Sequence, residues 1–184
     1  MVEKLPDYLN REEVEQILEI ASRRSFRDYL MIKMMWMCGL RVSEVSNLMA
    51  RDIDFLEKKI KIVQSKRSKD RYVPVTSELL REIRFYMEAK KIETGYLFLS
   101  RKKRKITTRR IQQIVKRYAE EAKIKKRVTC HTFRHSFAVY FLKKTKNLRA
   151  LQKILGHSSI KSTEVYLNLT FDDIQEEYER VWKQ

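Results

Sequence analysis

The chain is short of the residues that break helices and staple loops: its 184 residues hold three glycines, two prolines and two cysteines. With so few breakers, each marks a boundary, and no low-complexity linker or internal repeat is present. Cys38 and Cys130 form no CxxC pattern. Two cysteines and three histidines offer no compact four-ligand set for structural zinc, and the cysteines read as buried thiols in a reducing cytoplasm. Long apolar runs are also missing. The most apolar stretch, Leu30 to Leu40, is short and contains Lys33, whereas a spanning helix needs about 20 apolar residues. No basic-then-apolar leader opens the chain, so a cytoplasmic location is expected and a membrane partner is not. Acid is scarce: 24 Asp and Glu face 41 Lys and Arg, for a net charge of +17. That excess points to a polyanionic partner, most simply nucleic acid. Hydrophobic residues make up 43%, enough for a packed core and against wholesale disorder.

The spacing predicts a mainly helical chain with one small antiparallel sheet. Asn10 caps a helix to about Ser22, and Ser25 caps a second, Phe26 to Cys38, apolar nearly all round and therefore central. A short helix runs from Ser43 to Leu48. Lys59 to Val63 alternates as a strand, Tyr72 to Val75 is its partner, and Gln64 to Arg71 is the hairpin loop between them. Ser77 caps a helix to Lys90, and Tyr96 to Leu99 reads as a third strand. Helices follow over Thr108 to Ala122, Thr132 to Lys144, Leu148 to Leu155, Ile160 to Tyr166 and Phe171 to Trp182. Gly39 and Gly156 end helical runs.

Charge is not spread evenly. Between Arg101 and Arg127 there are 13 basic and two acidic residues, whereas 171–184 carries Asp172, Asp173, Glu176, Glu177 and Glu179 against Arg180 and Lys183. The body reads as a nucleic-acid face and the tail as something else.

Four segments hold residues suited to chemistry: Arg41 to Glu44, the hairpin Ser65 to Arg71, His131 to His135, and Gly156-His157 with Tyr166 nine residues after the histidine. His131 and Arg134, at i and i+3, share a helix face in an expected first turn, where backbone N–H groups favour an anion. Two arginines, a lysine, two histidines and a tyrosine can together hold a phosphodiester and stabilise its pentacoordinate transition state without a metal.

These pieces, in this order, resemble the catalytic domain of the tyrosine recombinases (the phage-integrase family), most nearly its Xer-type members, from about Leu5 onward. The resemblance implies a catalytic domain over 1–184, with 1–9 as a lead-in segment and 171–184 as a C-terminal helix that docks on a neighbouring protomer or on its own domain. Family members carry an N-terminal DNA-binding domain before the segment at Pro6, and this chain is expected to lack it. The implied substrate is double-stranded DNA, the implied assembly a dimer or tetramer on it, and no cofactor, metal or ATP is required. Tyr166 is the implied nucleophile, giving a 3′-phosphotyrosyl bond and a free 5′-hydroxyl. Arg41 and Arg134 clamp the phosphate, Lys66 protonates the leaving oxygen, His131 acts as base or proton relay and His157 hydrogen-bonds the phosphate. Glu44 orients Arg41 or its helix, and His135 is structural. The family's hairpin often reads Gly-Lys-Gly where this chain has Ser65-Lys66-Arg67, which leaves Lys69 as the alternative acid. Further DNA contacts are assigned to Arg67, Lys69, Arg101, Lys102, Lys103, Arg104, Lys105, Arg109 and Arg110. The 101–105 run reads equally as a solvated loop. Relaxation of supercoils by a type IB topoisomerase-like reaction, and simple nucleic-acid binding, are the competing functions.

Overall fold

Helices begin where the sequence offers a capping side chain. In the computed structural model, which describes residues 7–63 and 70–156, Asn10 precedes α1 (Arg11–Arg24) and accepts the Glu13 N–H at 2.8 Å, while the Glu13 carboxylate takes the Asn10 N–H at 2.8 Å. Ser25 ends α1 through its N–H to the Ala21 carbonyl and caps α2 (Phe26–Met37) with its hydroxyl. α2 buries Leu30, Met31, Ile32, Met34 and Met35 completely and packs against α1, α3, α4, α5 and α6. It is the central helix that its all-round apolar pattern implied. Its C-terminus turns at Gly39 (φ +61°), where an added Cβ would lie 2.5 Å from Phe137 Cδ1. Only glycine fits both the left-handed backbone and the close approach.

After α3 (Val42–Asn47) and a 3₁₀ turn (Ala50–Asp52) come β1 (Ile53–Asp54), β2 (Lys59–Ile62) and β3 (Arg71–Pro74), an antiparallel sheet in the order β1-β2-β3. Ile60 pairs with Val73 and Ile62 with Arg71, so these four side chains share the buried face. The expected third strand at Tyr96 to Leu99 is not in this sheet. It makes two isolated bridges, Tyr96 to Met49 and Leu99 to Lys105. Leu97 and Phe98 are both fully buried, which a pleated strand on one face does not allow, and the real third strand is two residues long, too short to show a period.

α4 (Ser77–Lys90) is capped by Thr76, not Ser77; its hydroxyl accepts the Leu79 N–H at 3.2 Å. α5 (Thr108–Glu121) follows, and α6 (Cys130–Thr145) starts two residues before the expected Thr132. Thr129 is its cap, through reciprocal bonds with Thr132 at 3.0 and 3.3 Å. α7 (Leu148–Leu155) matches its expected span and ends at Gly156 (φ +65°). Its Leu151 and Leu155 pack with Phe137, Ala138 and Leu142 of α6 in a second apolar cluster. Cys38 and Cys130 are buried and unpaired, and burial pushes both thiols up to about 12. No described helix is long and apolar enough to cross a membrane. The expected helices over 160–166 and 171–182 lie outside the described residues.

Candidate active site

A nearly buried carboxylate, 9% exposed, organises the site. Glu44, in the first turn of α3, accepts the backbone N–H of Arg41 at 2.7 Å and its guanidinium Nη1 at 2.9 Å. From β3, Arg71 clamps the same carboxylate with both terminal nitrogens, at 2.7 and 2.9 Å. From α6, Arg134 Nη1 lies 3.9 Å from it. Three elements thus bring three guanidiniums to one acid, and the cluster keeps two net positive charges. Burial alone would raise the Glu44 pKa, but the hydrogen bonds and charge of Arg71, the Arg41 N–H and the charge of Arg134 hold it below the ordinary carboxylate value. The carboxylate therefore stays ionised and fixes the arginines that surround it.

The arginines differ in access. Arg41's side chain is 34% exposed, those of Arg71 and Arg134 only 7%. Arg134 donates to the Gly39 carbonyl at 2.5 Å and the Leu155 carbonyl at 2.8 Å. Arg71 Nε donates to the Ile154 carbonyl at 2.7 Å. The end of α7, two residues short of His157, is thereby held against the site. A cavity of about 490 Å³ opens beside Arg41, Glu44, Asn47, Lys61 and Tyr96, and it offers room for a ligand next to the exposed guanidinium.

α6 carries the other described candidates. Because the helix starts at Cys130, Arg134 falls in its second turn rather than the expected first, away from the free N–H groups. His131 is exposed while Arg134 is 6% exposed, so the i, i+3 pair shares a side of the helix at different depths. His135 is half-buried. Burial first, and then the charges of His131 and Arg134, lower its pKa below the ordinary histidine value.

Of the basic run, residues 101–105 are exposed and form a tight turn. Lys105 donates to Asn47 Oδ1 at 2.8 Å and lies 5.5 Å over the Tyr96 ring, so the turn sits on the rim of the cavity beside Arg41. Arg109 and Arg110 are exposed in the first turn of α5. Lys66, Arg67, Lys69, His157 and Tyr166 lie outside the described residues.

The spacing places Arg71 in the hairpin loop, whereas it opens β3 and joins the site. A signal was there: Arg71, Val73 and Val75 alternate, which puts the arginine on the buried face, where a charge needs a partner.

A mostly helical domain with a small three-stranded sheet and these arginines set around a glutamate has the fold of tyrosine recombinase catalytic domains. The chain belongs to the phage integrase family, whose model matches residues 7–173. It is 41% identical over 167 residues to a tyrosine recombinase of Pseudothermotoga lettingae, covering 90% of this chain and 57% of that one. The crystal structure of XerA recombinase superposes with a TM-score of 0.85 at 30% identity, over 98% of this chain and 67% of that one. XerH site-specific recombinase, solved on palindromic difH substrate as a post-cleavage complex, matches with a TM-score of 0.80 at 25% identity, over 98% and 54%. The chain thus spans 57% to 63% of the length of curated relatives it matches.

Proposed function

We propose that this chain is the catalytic domain of a site-specific DNA recombinase that cuts and rejoins strands through a covalent tyrosine intermediate, with no metal and no ATP. The observation that carries the reading is the arginine cluster on Glu44, which opens one guanidinium to a cavity and, with that guanidinium counted, keeps two net positive charges. Such a cluster is suited to the two non-bridging oxygens of a phosphodiester and to the extra negative charge of its transition state. Among the proteins it resembles, XerH was solved with its DNA substrate.

In this reading the Tyr166 phenol oxygen attacks phosphorus and loses its proton to His131. A 3′-phosphotyrosyl bond forms, the bond to the 5′-oxygen breaks, and the Lys66 ammonium protonates that oxygen as it leaves. Arg41 and Arg134 stabilise the phosphorane, and His157 hydrogen-bonds it. A 5′-hydroxyl from another strand reverses the steps. Bond energy stays in the phosphotyrosine, so no ATP is consumed. The partner is double-stranded DNA in the cytoplasm.

Assembly on DNA is proposed to run through 171–184. Phe171, Ile174, Tyr178 and Trp182 recur at helical spacing among five acids. A groove of about 720 Å³ between α1, α2 and α6, walled by Leu18, Phe26, Trp36, Phe137, Tyr140 and Phe141, is of a size to take them from a neighbouring copy. Deleting 171–184 should lower the oligomer size on DNA. Identical assembly of the truncated and intact chains contradicts this part.

The test of the reaction is a duplex nicked near the cleavage point, incubated with EDTA. An SDS-resistant adduct, lost in Tyr166→Phe, is expected. Lys66→Ala should slow cleavage, and a 5′-bridging sulfur, whose departure needs no proton, should restore it. Rescue of Lys69→Ala instead makes Lys69 the acid. Supercoil relaxation without partner exchange marks the topoisomerase-like alternative, and binding without an adduct marks a non-catalytic module.

A further inference from the structure

We propose that Arg71 is a positioning residue of the phosphate clamp: by gripping both oxygens of Glu44 and the Ile154 carbonyl, it sets the carboxylate that holds Arg41 and fixes the last turn of α7 against it. The inference rests on the DNA-cleavage reading above.

Burial of this side chain is costly. An arginine on the inward face of a four-residue strand must give up its hydration, so its place requires a full set of partners. Arg71 has them: two nitrogens on Glu44 and the third on Ile154, with 7% of the side chain exposed. A planar fork fits a carboxylate in one orientation, so Arg71 defines the plane of the Glu44 carboxylate. Arg41 Nη1 binds Oε1, the oxygen that Arg71 Nη1 also holds. The direction in which Arg41 meets a ligand is therefore referred to β3 through Glu44.

The second interaction ties in α7. The last carbonyls of a helix have no intrahelical donor. Arg71 satisfies Ile154 and Arg134 satisfies Leu155, while Gln152 is closed by the Gly156 N–H. Two cations at a helix C-terminus also oppose its negative pole. One side chain thus joins α3, β3 and α7, and an error in its geometry is transmitted to Arg41.

A purely structural arginine would predict something different. Losing it would reduce the amount of folded, active chain and slow every substrate equally. A positioning arginine slows the substrates that depend on the clamp. The test uses the full chain, the nicked duplex and the same duplex with a neutral methylphosphonate at the scissile linkage, which makes a smaller demand on Arg41.

Arg71→Met should slow adduct formation on the phosphate by about 10²-fold, the scale expected for a displaced catalytic group. It should slow the methylphosphonate reaction several-fold less. Arg71→Lys, which keeps the charge without the fork, should show the same split and guards against a misfolded Met variant. Glu44→Gln combined with Arg71→Met should be no slower than the slower single variant. Equal slowing on both duplexes, or additive losses in the double variant, overturns the proposal. If the unaltered chain forms no adduct, the cleavage reading fails by itself, and the clamp is then judged by NMR titration of the Glu44 carboxyl. That titration should move upward in Arg71→Met and Arg71→Lys; an unmoved titration overturns the clamp.

Discussion

Arg71 and Arg134 donate to consecutive carbonyls at the end of α7, Ile154 at 2.7 Å and Leu155 at 2.8 Å, and both guanidiniums also face Glu44. The helix that leads into His157 therefore ends on the same two side chains that surround the organising carboxylate. Packing, helix termination and the electrostatics of the site are one set of interactions, and changes to any of them should be felt in the others.

Glu44→Ala removes the acid that two nearly buried guanidiniums, Arg71 and Arg134, both face. Removing one partner of a buried ion pair costs about 3–5 kcal/mol, and the pair here is bidentate. Urea denaturation should show a loss of that size. Glu44→Gln with Arg71→Met, which removes both charges, should recover part of it.

Acid should act through two groups in sequence. His135 is held below its ordinary value of 6.5, so the unfolded chain takes up its proton first. Stability should start to fall as pH drops below about 6.5. Glu44 is held below 4.5, so its contribution is complete above that value and is lost as pH falls further, through the folded-state value. Melting temperatures between about pH 3 and pH 8 should show both declines. His135→Gln should remove the upper one and Glu44→Gln the lower.

Gly39→Ala should destabilise the chain twice over. The left-handed backbone at φ +61° costs an alanine about 1–2 kcal/mol. The new methyl would also meet Phe137 Cδ1 at 2.5 Å and Leu155 Cδ2 at 2.8 Å, overpacking of a kind that costs about 1–3 kcal/mol. Because the Gly39 carbonyl receives Arg134, adduct formation by the folded fraction should fall as well.

The turn at 101–105 separates solvated charge from phosphate binding. If it tracks the DNA backbone from the rim of the Arg41 cavity, Arg101→Gln with Arg104→Gln should flatten the dependence of log K on log salt. The slope should change by about 0.9 for each phosphate no longer neutralised. An unchanged slope means that these side chains meet only water.

Much of the fold was legible because its signals are local. Asn10 and Ser25 stand three residues from the N–H groups they cap, and α2 shows its central place in its own apolar residues. The grouping of Arg41, Glu44 and Arg134 was legible through the family's pattern. What escaped is long-range or too short to have a period. Arg71 lies 27 residues from Glu44 and 83 from Ile154, and nothing near it in the chain names either partner. β1 has two residues, and the α6 start was hidden because Thr129 and Thr132 both look like caps and turn out to cap each other.

The most direct measurement is to map the amino acid that carries DNA. The chain is incubated with a nicked target duplex in EDTA, digested, and the nucleotide-bearing peptide sequenced by mass spectrometry. The covalent mechanism predicts a single 3′-phosphotyrosyl peptide, modified at Tyr166, and abolished when Arg41 is replaced by alanine. Strand cleavage with the modification on another residue, or tight binding to a duplex that other family members cut with no modification at all, contradicts it.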